Sequence, residues 1–250
     1  MGKGPFIVIL RIIHYVVALT TFVKQWLLKY PVFPFKKTDI ASVQSDARKL
    51  KKLPLHLGLL VLEDEFSYAD IARLILWSSA MGISFVSVYD VNGLVKFNEK
   101  VLAAEVQKQK GLRTDSEKIK TDIYICCGIK RVDAKRLSSP QTTVFLLSMD
   151  DGFQSIVNIT RSIYSRVKCK QMKVSEIDPH SLDTVFQEET GYPDPDMVIR
   201  FGQTESLLGF MPWQVRLTEI LSLPSHQCLE YKTFRSVLLS YGNTQQRFGK

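Results

Sequence analysis

The sequence predicts an α/β domain with a mainly parallel central sheet flanked by helices, preceded by an N-terminal membrane helix. Short, nearly continuous apolar runs of strand length alternate with longer amphipathic stretches, and no internal repeat interrupts them. The charge is also uneven: of the 250 residues, with a formal net charge of +8, residues 1–52 hold ten basic and two acidic residues. An N-terminal arm therefore precedes a nearly neutral domain.

The arm contains an apolar stretch at residues 5–28, which is long enough to cross the roughly 30 Å hydrocarbon core of a bilayer as a helix. Arg11 and His14 interrupt this stretch, so an interfacial membrane helix and a buried soluble helix are alternatives to a spanning anchor. We favour the anchor, because Arg11 lies near one end and its side chain can extend to the membrane surface.

The flanking charges predict the orientation and the boundaries of this arm. Lys24, Lys29, Lys36 and Lys37 follow the stretch, whereas only Lys3 precedes it, so the bulk of the chain is expected to face the cytosol. We expect an anchor at 1–30, a basic juxtamembrane linker at 31–52 and a domain at 53–242. The sequon that begins at Asn158 is then expected to carry no glycan.

Five apolar runs in the domain predict strands buried on both faces, as in a parallel sheet. They lie at residues 57–62, 84–89, 122–127, 142–148 and 196–200.

Three intervening stretches predict helices. Ser67 and Asp70 form a capping-box-like start and Gly82 a C-terminal stop for the first helix. Gly152 opens the second, whose apolar residues lie along one side as far as Val167. Asp178-Pro179 starts the third, at residues 181–189.

Several classes of function are disfavoured. Residues 53–250 hold 23 basic and 23 acidic residues, which argues against a nucleic-acid-binding domain. Glycine-rich phosphate-binding motifs, a nucleophile elbow and Cys-x-x-Cys pairs do not occur, and the four histidines lack metal-ligand spacing. The acidic run at residues 63–65 is better explained by the dipole of the following helix than by a metal, so no metal site is predicted in this chain.

The region towards the C-terminus carries a recognisable family signature. Residues 193–219, with Arg200, Phe210, Trp213, Gln214 and Glu219 at matching spacing, resemble the last signature of the cis-prenyltransferases, which elongate polyprenyl diphosphates. With residues 54–58, 81–89 and 152–157, the similarity covers nearly everything after Leu53. It implies the cis-prenyltransferase fold.

The chain departs from the catalytic members at the positions that bind substrate. Their aspartate and Gly-Asn loop after the first strand is missing beyond Leu62, and the arginine and serine that grip isopentenyl diphosphate fall on Ser206 and Leu208. Arg200 and Glu219 persist as weaker candidates with structural roles, Glu219 pairing with Arg216 or contacting the C-terminal region. The resemblance thus implies no catalytic residues of its own.

A retained fold, an altered active site and a membrane segment together resemble the accessory subunits of dehydrodolichyl diphosphate synthase complexes within this family. In these, a C-terminal Arg-x-Gly motif crosses the dimer interface and completes the partner's active site. Here the tail at 243–250 carries Arg247, whose planar guanidinium suits a diphosphate, and Gly249, whose backbone N–H can approach an oxygen closely. Both are expected to bind isopentenyl diphosphate in trans.

The resemblance implies a non-catalytic but essential subunit of a heteromeric cis-prenyltransferase on the endoplasmic reticulum membrane. The complex would make dehydrodolichyl diphosphate from farnesyl and isopentenyl diphosphates, for dolichol synthesis and protein glycosylation. Mg²⁺ would be bound mainly by the catalytic partner and the substrate diphosphate, and the interface would involve the long helices and residues 210–219. The alternatives are a membrane-anchored receptor or scaffold and a self-sufficient homodimeric synthase.

Overall fold

The computed structural model describes residues 4–29, 39–111, 122–128, 141–190 and 193–245. The chain divides into two compact units, residues 1–37 and 38–250. Two parts of the sequence predictions lie outside the described residues: Arg247 and Gly249 of the tail, and residues 31–38 of the predicted linker.

The first unit contains one long helix, α1 (Gly4–Lys29), as the apolar stretch predicted. The side chains of residues 8–23 are all exposed, and the hydroxyl groups of Thr20 and Thr21 donate hydrogen bonds to the carbonyl of Val17. Among the described residues, no helix has the combined length and apolarity of a membrane span.

The second unit is built on one six-stranded sheet in which every neighbouring pair is parallel. The strands are β1 (His56–Val61), β2 (Phe85–Tyr89), β3 (Asp122–Cys127), β4 (Gln141–Leu147), β5 (Met197–Phe201) and β6 (Glu219–Leu223), in the order β3-β4-β2-β1-β5-β6. The five predicted strands are confirmed in position, but β3 is an edge strand in which only Cys126 is buried, so its predicted burial on both faces is wrong. The sixth strand, β6, was not predicted, because it lies at an edge of the sheet and mixes Glu219 and Ser222 with its apolar residues.

One face of the sheet is covered by helices that share a large apolar core with it. These helices are α2 (Ile40–Lys49), α3 (Tyr68–Met81), α4 (Leu94–Phe97), α5 (Glu99–Gly111) and α8 (Tyr231–Asn243). Ser67 caps α3 and Gly82 ends it with a φ of 89°, as predicted. Within the predicted linker, α2 buries Ile40 and Val43 in the core, so this part of the segment packs as part of the domain.

The other face is covered by α6 (Met149–Lys168), α7 (Pro179–Thr190) and the loop that joins β5 to β6. The predicted start of α6 at Gly152 is wrong: the helix begins at Met149 with Ser148 as its N-cap. Gly152 lies in the first turn, where an added Cβ would come within 1.9 Å of the carbonyl oxygen of Gly209. The glycine marks a close approach between helix and loop.

Candidate functional site

Parallel α/β sheets bind ligands beyond the carboxyl ends of their strands, here called the carboxyl edge. Glu63, Asp90, Ser148, Gly202 and Ser225 follow the ends of β1, β2, β4, β5 and β6 at this edge. A diphosphate site at this edge would need free cations, hydroxyl groups or backbone N–H groups. The hydrogen bonds already made by these groups therefore decide what the edge can bind.

At the end of β1, the Glu63 carboxylate is held by the segment that follows β6. Oε2 accepts hydrogen bonds from the Nδ1 of His226 at 2.6 Å and from the Ser225 hydroxyl at 3.0 Å, and Oε1 accepts one from the backbone N–H of His226 at 3.1 Å. The sequence suggested that the dipole of α3 stabilises the Glu63 carboxylate, and it did not predict these hydrogen-bond partners. The partner of His226 lies 163 residues away in sequence, so no local pattern identifies it.

At the ends of β2 and β4, two aspartates are likewise engaged by groups of the protein. The oxygens of Asp90 accept the N–H groups of Leu94 and Val95, each at 2.9 Å, and so cap α4. Asp151 accepts the N–H of Ser148 at 2.7 Å and pairs with the Lys96 ammonium at 2.8 Å. Lys96 therefore meets a carboxylate rather than an open site.

The loop between β5 and β6 folds onto the same edge. The Tyr89 hydroxyl donates a hydrogen bond to the carbonyl of Leu208, and burial raises the pKa of Tyr89 to about 12, so the hydroxyl remains a donor. The Ser206 hydroxyl accepts the N–H of Leu208 at 3.2 Å. Ser206 and Leu208, which the resemblance aligns with a diphosphate-binding arginine and serine, are thus hydrogen-bonded within the chain.

The carboxylates at this edge do not fit a Mg²⁺ site, because both oxygens of Glu63 and of Asp90 accept hydrogen bonds from the protein. Within the described ranges, no group of three His, Cys, Asp or Glu side chains is placed to hold a metal ion. Glu63 and Asp90 are therefore bound to other groups of the protein rather than presented to a metal ion.

The two weaker candidates, Arg200 and Glu219, are not brought together. The Arg200 guanidinium donates to the Ser222 hydroxyl at 2.8 Å towards the carboxyl ends of β5 and β6. Glu219 is the first residue of β6, in register with Met197, so it lies at the amino ends of the strands, away from the carboxyl edge. It also projects from the other face of the sheet. Arg216 binds Asp183, so the expected Arg216–Glu219 pair is wrong.

Glu219 instead lies near the end of α8. The pKa of Tyr241 is raised mainly by burial, and the nearby carboxylates of Asp196 and Glu219 raise it further. The second expectation for Glu219, a contact with the C-terminal region, stays a prediction, because residues 246–250 lie outside the described residues. Phe210, which was expected at a partner interface, is 1% exposed and fills the core beside Tyr89.

His56 is fully buried at the start of β1. Its Nδ1 donates to the carbonyl of Pro193 at 2.7 Å, and its Nε2 contacts the Ser87 hydroxyl at 2.7 Å. Burial lowers the pKa of His56 to about 4, so the ring is neutral at physiological pH. The histidine links β1 to β2 and to the segment before β5.

Helix α6 presents an exposed apolar row that the sequence did not reveal. Met149, Phe153, Val157 and Tyr164, at spacings of four, four and seven residues, lie on one side of the helix and are 40%, 54%, 41% and 66% exposed. We call these four residues the α6 row. Contiguous exposed apolar side chains on a long helix are typical of a protein interface.

Comparisons with known proteins agree with this architecture. The family described as putative undecaprenyl diphosphate synthase matches residues 128–249. The dehydrodolichyl diphosphate synthase complex subunit Nus1 of Mus musculus is 41% identical over 83% of this chain and 69% of its own length. Its Homo sapiens counterpart is 39% identical over 83% of this chain and 70% of its own length.

Among solved structures, lavandulyl diphosphate synthase from Lavandula x intermedia, in complex with dimethylallyl diphosphate, is similar with a TM-score of 0.55 at 17% identity. The match covers 79% of this chain and 99% of that one. At this identity the likeness concerns the fold: a parallel sheet with flanking helices.

Proposed function

The chain belongs to the family of dehydrodolichyl diphosphate synthase complex subunits, and from this premise we propose that it is the non-catalytic but essential subunit of a heteromeric cis-prenyltransferase. The complex makes a long-chain polyprenyl diphosphate from farnesyl and isopentenyl diphosphates, for dolichol synthesis and protein glycosylation. The main support for this proposal is the carboxyl edge of the sheet. Its carboxylates Glu63 and Asp90 and the Lys96 ammonium are already bound to other groups of the protein, rather than being open to a diphosphate.

The diphosphates and Mg²⁺ are then bound mainly by a catalytic subunit, to which this chain contributes Arg247 and Gly249. The chain passes from His226, at the carboxyl edge, to Gly242, which lies against Lys52 before the start of β1. Arg247 is five residues further on, outside the described residues.

The α6 row supports a stable partner. Four exposed apolar side chains on one helix face supply a central apolar patch, and aromatic residues such as Phe153 and Tyr164 are common anchors in interfaces. The catalytic subunit covers this row in the complex.

We also propose that α1 attaches the complex to the endoplasmic reticulum membrane, with the domain in the cytosol. The support is the apolar sequence of residues 5–28 together with the lysines that follow it. The apolar product of the complex partitions into that same membrane.

The proposal is tested by co-expressing the full chain with its catalytic subunit and measuring isopentenyl diphosphate incorporation. Arg247→Ala is expected to lower turnover at least about tenfold with the complex still assembled, because one charge-assisted bidentate contact contributes about 1.5–3 kcal/mol. The matched control is Lys250→Ala, which removes a neighbouring cation outside the motif and should leave turnover unchanged. Unchanged turnover in Arg247→Ala would leave the chain as a scaffold, and elongation by the purified chain alone would make it a synthase in its own right.

A further inference from the structure

The last turn of α8 lies against the segment that joins α2 to β1. The Lys52 ammonium is 4.6 Å from the centre of the Tyr241 ring, and a Cβ added to Gly242 would lie 3.2 Å from the carbonyl oxygen of Lys52. Tyr241 is 1% exposed and belongs to the core. We call these three residues, Lys52, Tyr241 and Gly242, the tail seat.

The first turn of α8 is tied to the same part of the chain. The Tyr231 hydroxyl donates to the Asp46 carboxylate of α2 at 3.2 Å, and the Tyr231 ring packs edge-on against Trp77 of α3. Burial and the nearby Asp46 carboxylate raise the pKa of Tyr231, so its hydroxyl stays protonated and remains a donor. Residues 46–52 therefore hold both ends of α8.

The helix ends directly after the tail seat. Thr244 caps it, donating its N–H to the carbonyl of Tyr241 and its hydroxyl to the carbonyl of Ser240, each at 3.1 Å. Arg247 follows three residues later. Among the described residues, the tail seat is thus the core contact of α8 that lies nearest in sequence to the residues proposed to bind substrate.

We infer that Lys52 and Gly242 are positioning residues for the reaction of the complex: they fix the end of α8 so that Arg247 and Gly249 meet isopentenyl diphosphate in the partner's site. The inference rests on the proposed function and adds residues far from the tail in sequence. Catalytic contacts tolerate little displacement, since a misplacement of about 1 Å can cost up to about a hundredfold in rate.

The first test changes the cation. In the full complex, Lys52→Met keeps most of the aliphatic stem and removes the charge over Tyr241, and it is expected to raise KM for isopentenyl diphosphate about two- to fivefold, the range of one cation–π contact. KM for the farnesyl primer and the yield of assembled complex should not change. Lys52→Arg should restore the wild-type KM, and the adjacent, exposed Lys51→Met is the matched control.

The second test changes the backbone approach. Gly242→Ala favours the helix by up to about 1 kcal/mol, so a loss of activity is not explained by a weaker helix. Its Cβ would lie 3.2 Å from the Lys52 carbonyl oxygen, so the end of α8 or the Lys52 segment must shift slightly, and a higher KM for isopentenyl diphosphate is again expected. If both substitutions leave this KM unchanged while Arg247→Ala lowers turnover, the tail seat has no positioning role and the proposed function stands. If Arg247→Ala has no effect either, both proposals are overturned.

Discussion

The imidazole of His226 donates from Nδ1 to the Glu63 carboxylate and accepts at Nε2 the N–H of Ser67, at 2.6 and 2.9 Å. Because a backbone N–H can only donate, Nε2 is unprotonated and the proton of the neutral ring lies on Nδ1. The ring thereby joins the end of β1, the segment after β6 and the N-terminus of α3. These hydrogen bonds form a closed network at the end of β1.

Removing this ring should destabilise the domain. His226→Leu leaves the Ser67 N–H without its acceptor and takes a donor from Glu63, and each buried unsatisfied polar group costs about 1–3 kcal/mol. We expect a loss of about 2–4 kcal/mol in the free energy of unfolding, measured by urea denaturation of the full chain in detergent. The exposed neighbour provides the control: Asp64→Asn should change stability by less than about 0.5 kcal/mol. Equal stability of the two variants would show that the network contributes little.

The central strands could be predicted because parallel strands buried on both faces are nearly continuous in apolar residues, as in β1, where all six residues are buried. β3 also occupies the predicted residues 122–127, but it lies at an edge of the sheet and only its Cys126 is buried. The same criterion misses β6, whose exposed edge position permits Glu219 and Ser222. Contacts between distant residues, such as Glu63 with His226, follow from the topology and leave no local pattern. The resemblance directed attention to Ser206 and Leu208, but nothing in the sequence predicted the hydrogen bonds that these residues make within the chain.

Gly152 lies inside the first turn of α6 rather than at its start, and its lack of a side chain serves the packing of the loop. Gly152→Ala would favour the helix by up to about 1 kcal/mol, but its Cβ meets the Gly209 carbonyl oxygen at 1.9 Å, a backbone atom that cannot rotate away. We expect a net loss of about 3 kcal/mol or failure to fold, read from thermal unfolding. Gly82→Ala is the comparison, since nothing lies within 4 Å of its Cβ and only its φ of 89° opposes the change, at about 1–2 kcal/mol. A Gly152→Ala variant as stable as Gly82→Ala would contradict the close approach.

The buried His56 should make stability depend on pH. Its pKa is about 4 in the folded chain and near 6.5 when unfolded, so between these values the unfolded chain binds more protons. Above pH 6.5 the ring is neutral in both states and has no effect; as the pH falls from 6.5 to about 4, stability falls by up to about 1.4 kcal/mol per pH unit.

His56→Gln removes this titration and should flatten the profile between pH 6.5 and 4, although it lowers stability at neutral pH by disturbing the bonds to Pro193 and Ser87. Denaturation series at several pH values measure the slope. His180→Gln, at an exposed histidine, should keep the wild-type slope. A His56→Gln profile parallel to that of wild type would mean that other groups dominate the acid dependence.

The α6 row predicts where the catalytic subunit binds. Phe153→Ser removes an apolar ring that is 54% exposed, so the folded chain should lose little stability while the complex weakens by about 2 kcal/mol, or about thirtyfold in Kd. Size-exclusion chromatography of the co-expressed pair at decreasing concentration measures this shift. Val174→Ser truncates a side chain that is 71% exposed but lies outside α6, and it should leave assembly intact. Assembly at wild-type affinity in Phe153→Ser would place the interface elsewhere.

The sequon at Asn158 tests the proposed orientation. The residue is exposed on α6, where its side-chain oxygen accepts the Gln154 amide at 2.9 Å, so a domain on the lumenal side would present it to glycosylation. With the domain in the cytosol, we expect no change in mass on treatment with an endoglycosidase. A sequon added in an extension before Met1 is the positive control, because the positive-inside rule sends that end to the lumen when α1 spans the membrane. A glycan at Asn158 would reverse the orientation, whereas modification of neither site would favour an α1 that lies along the membrane surface.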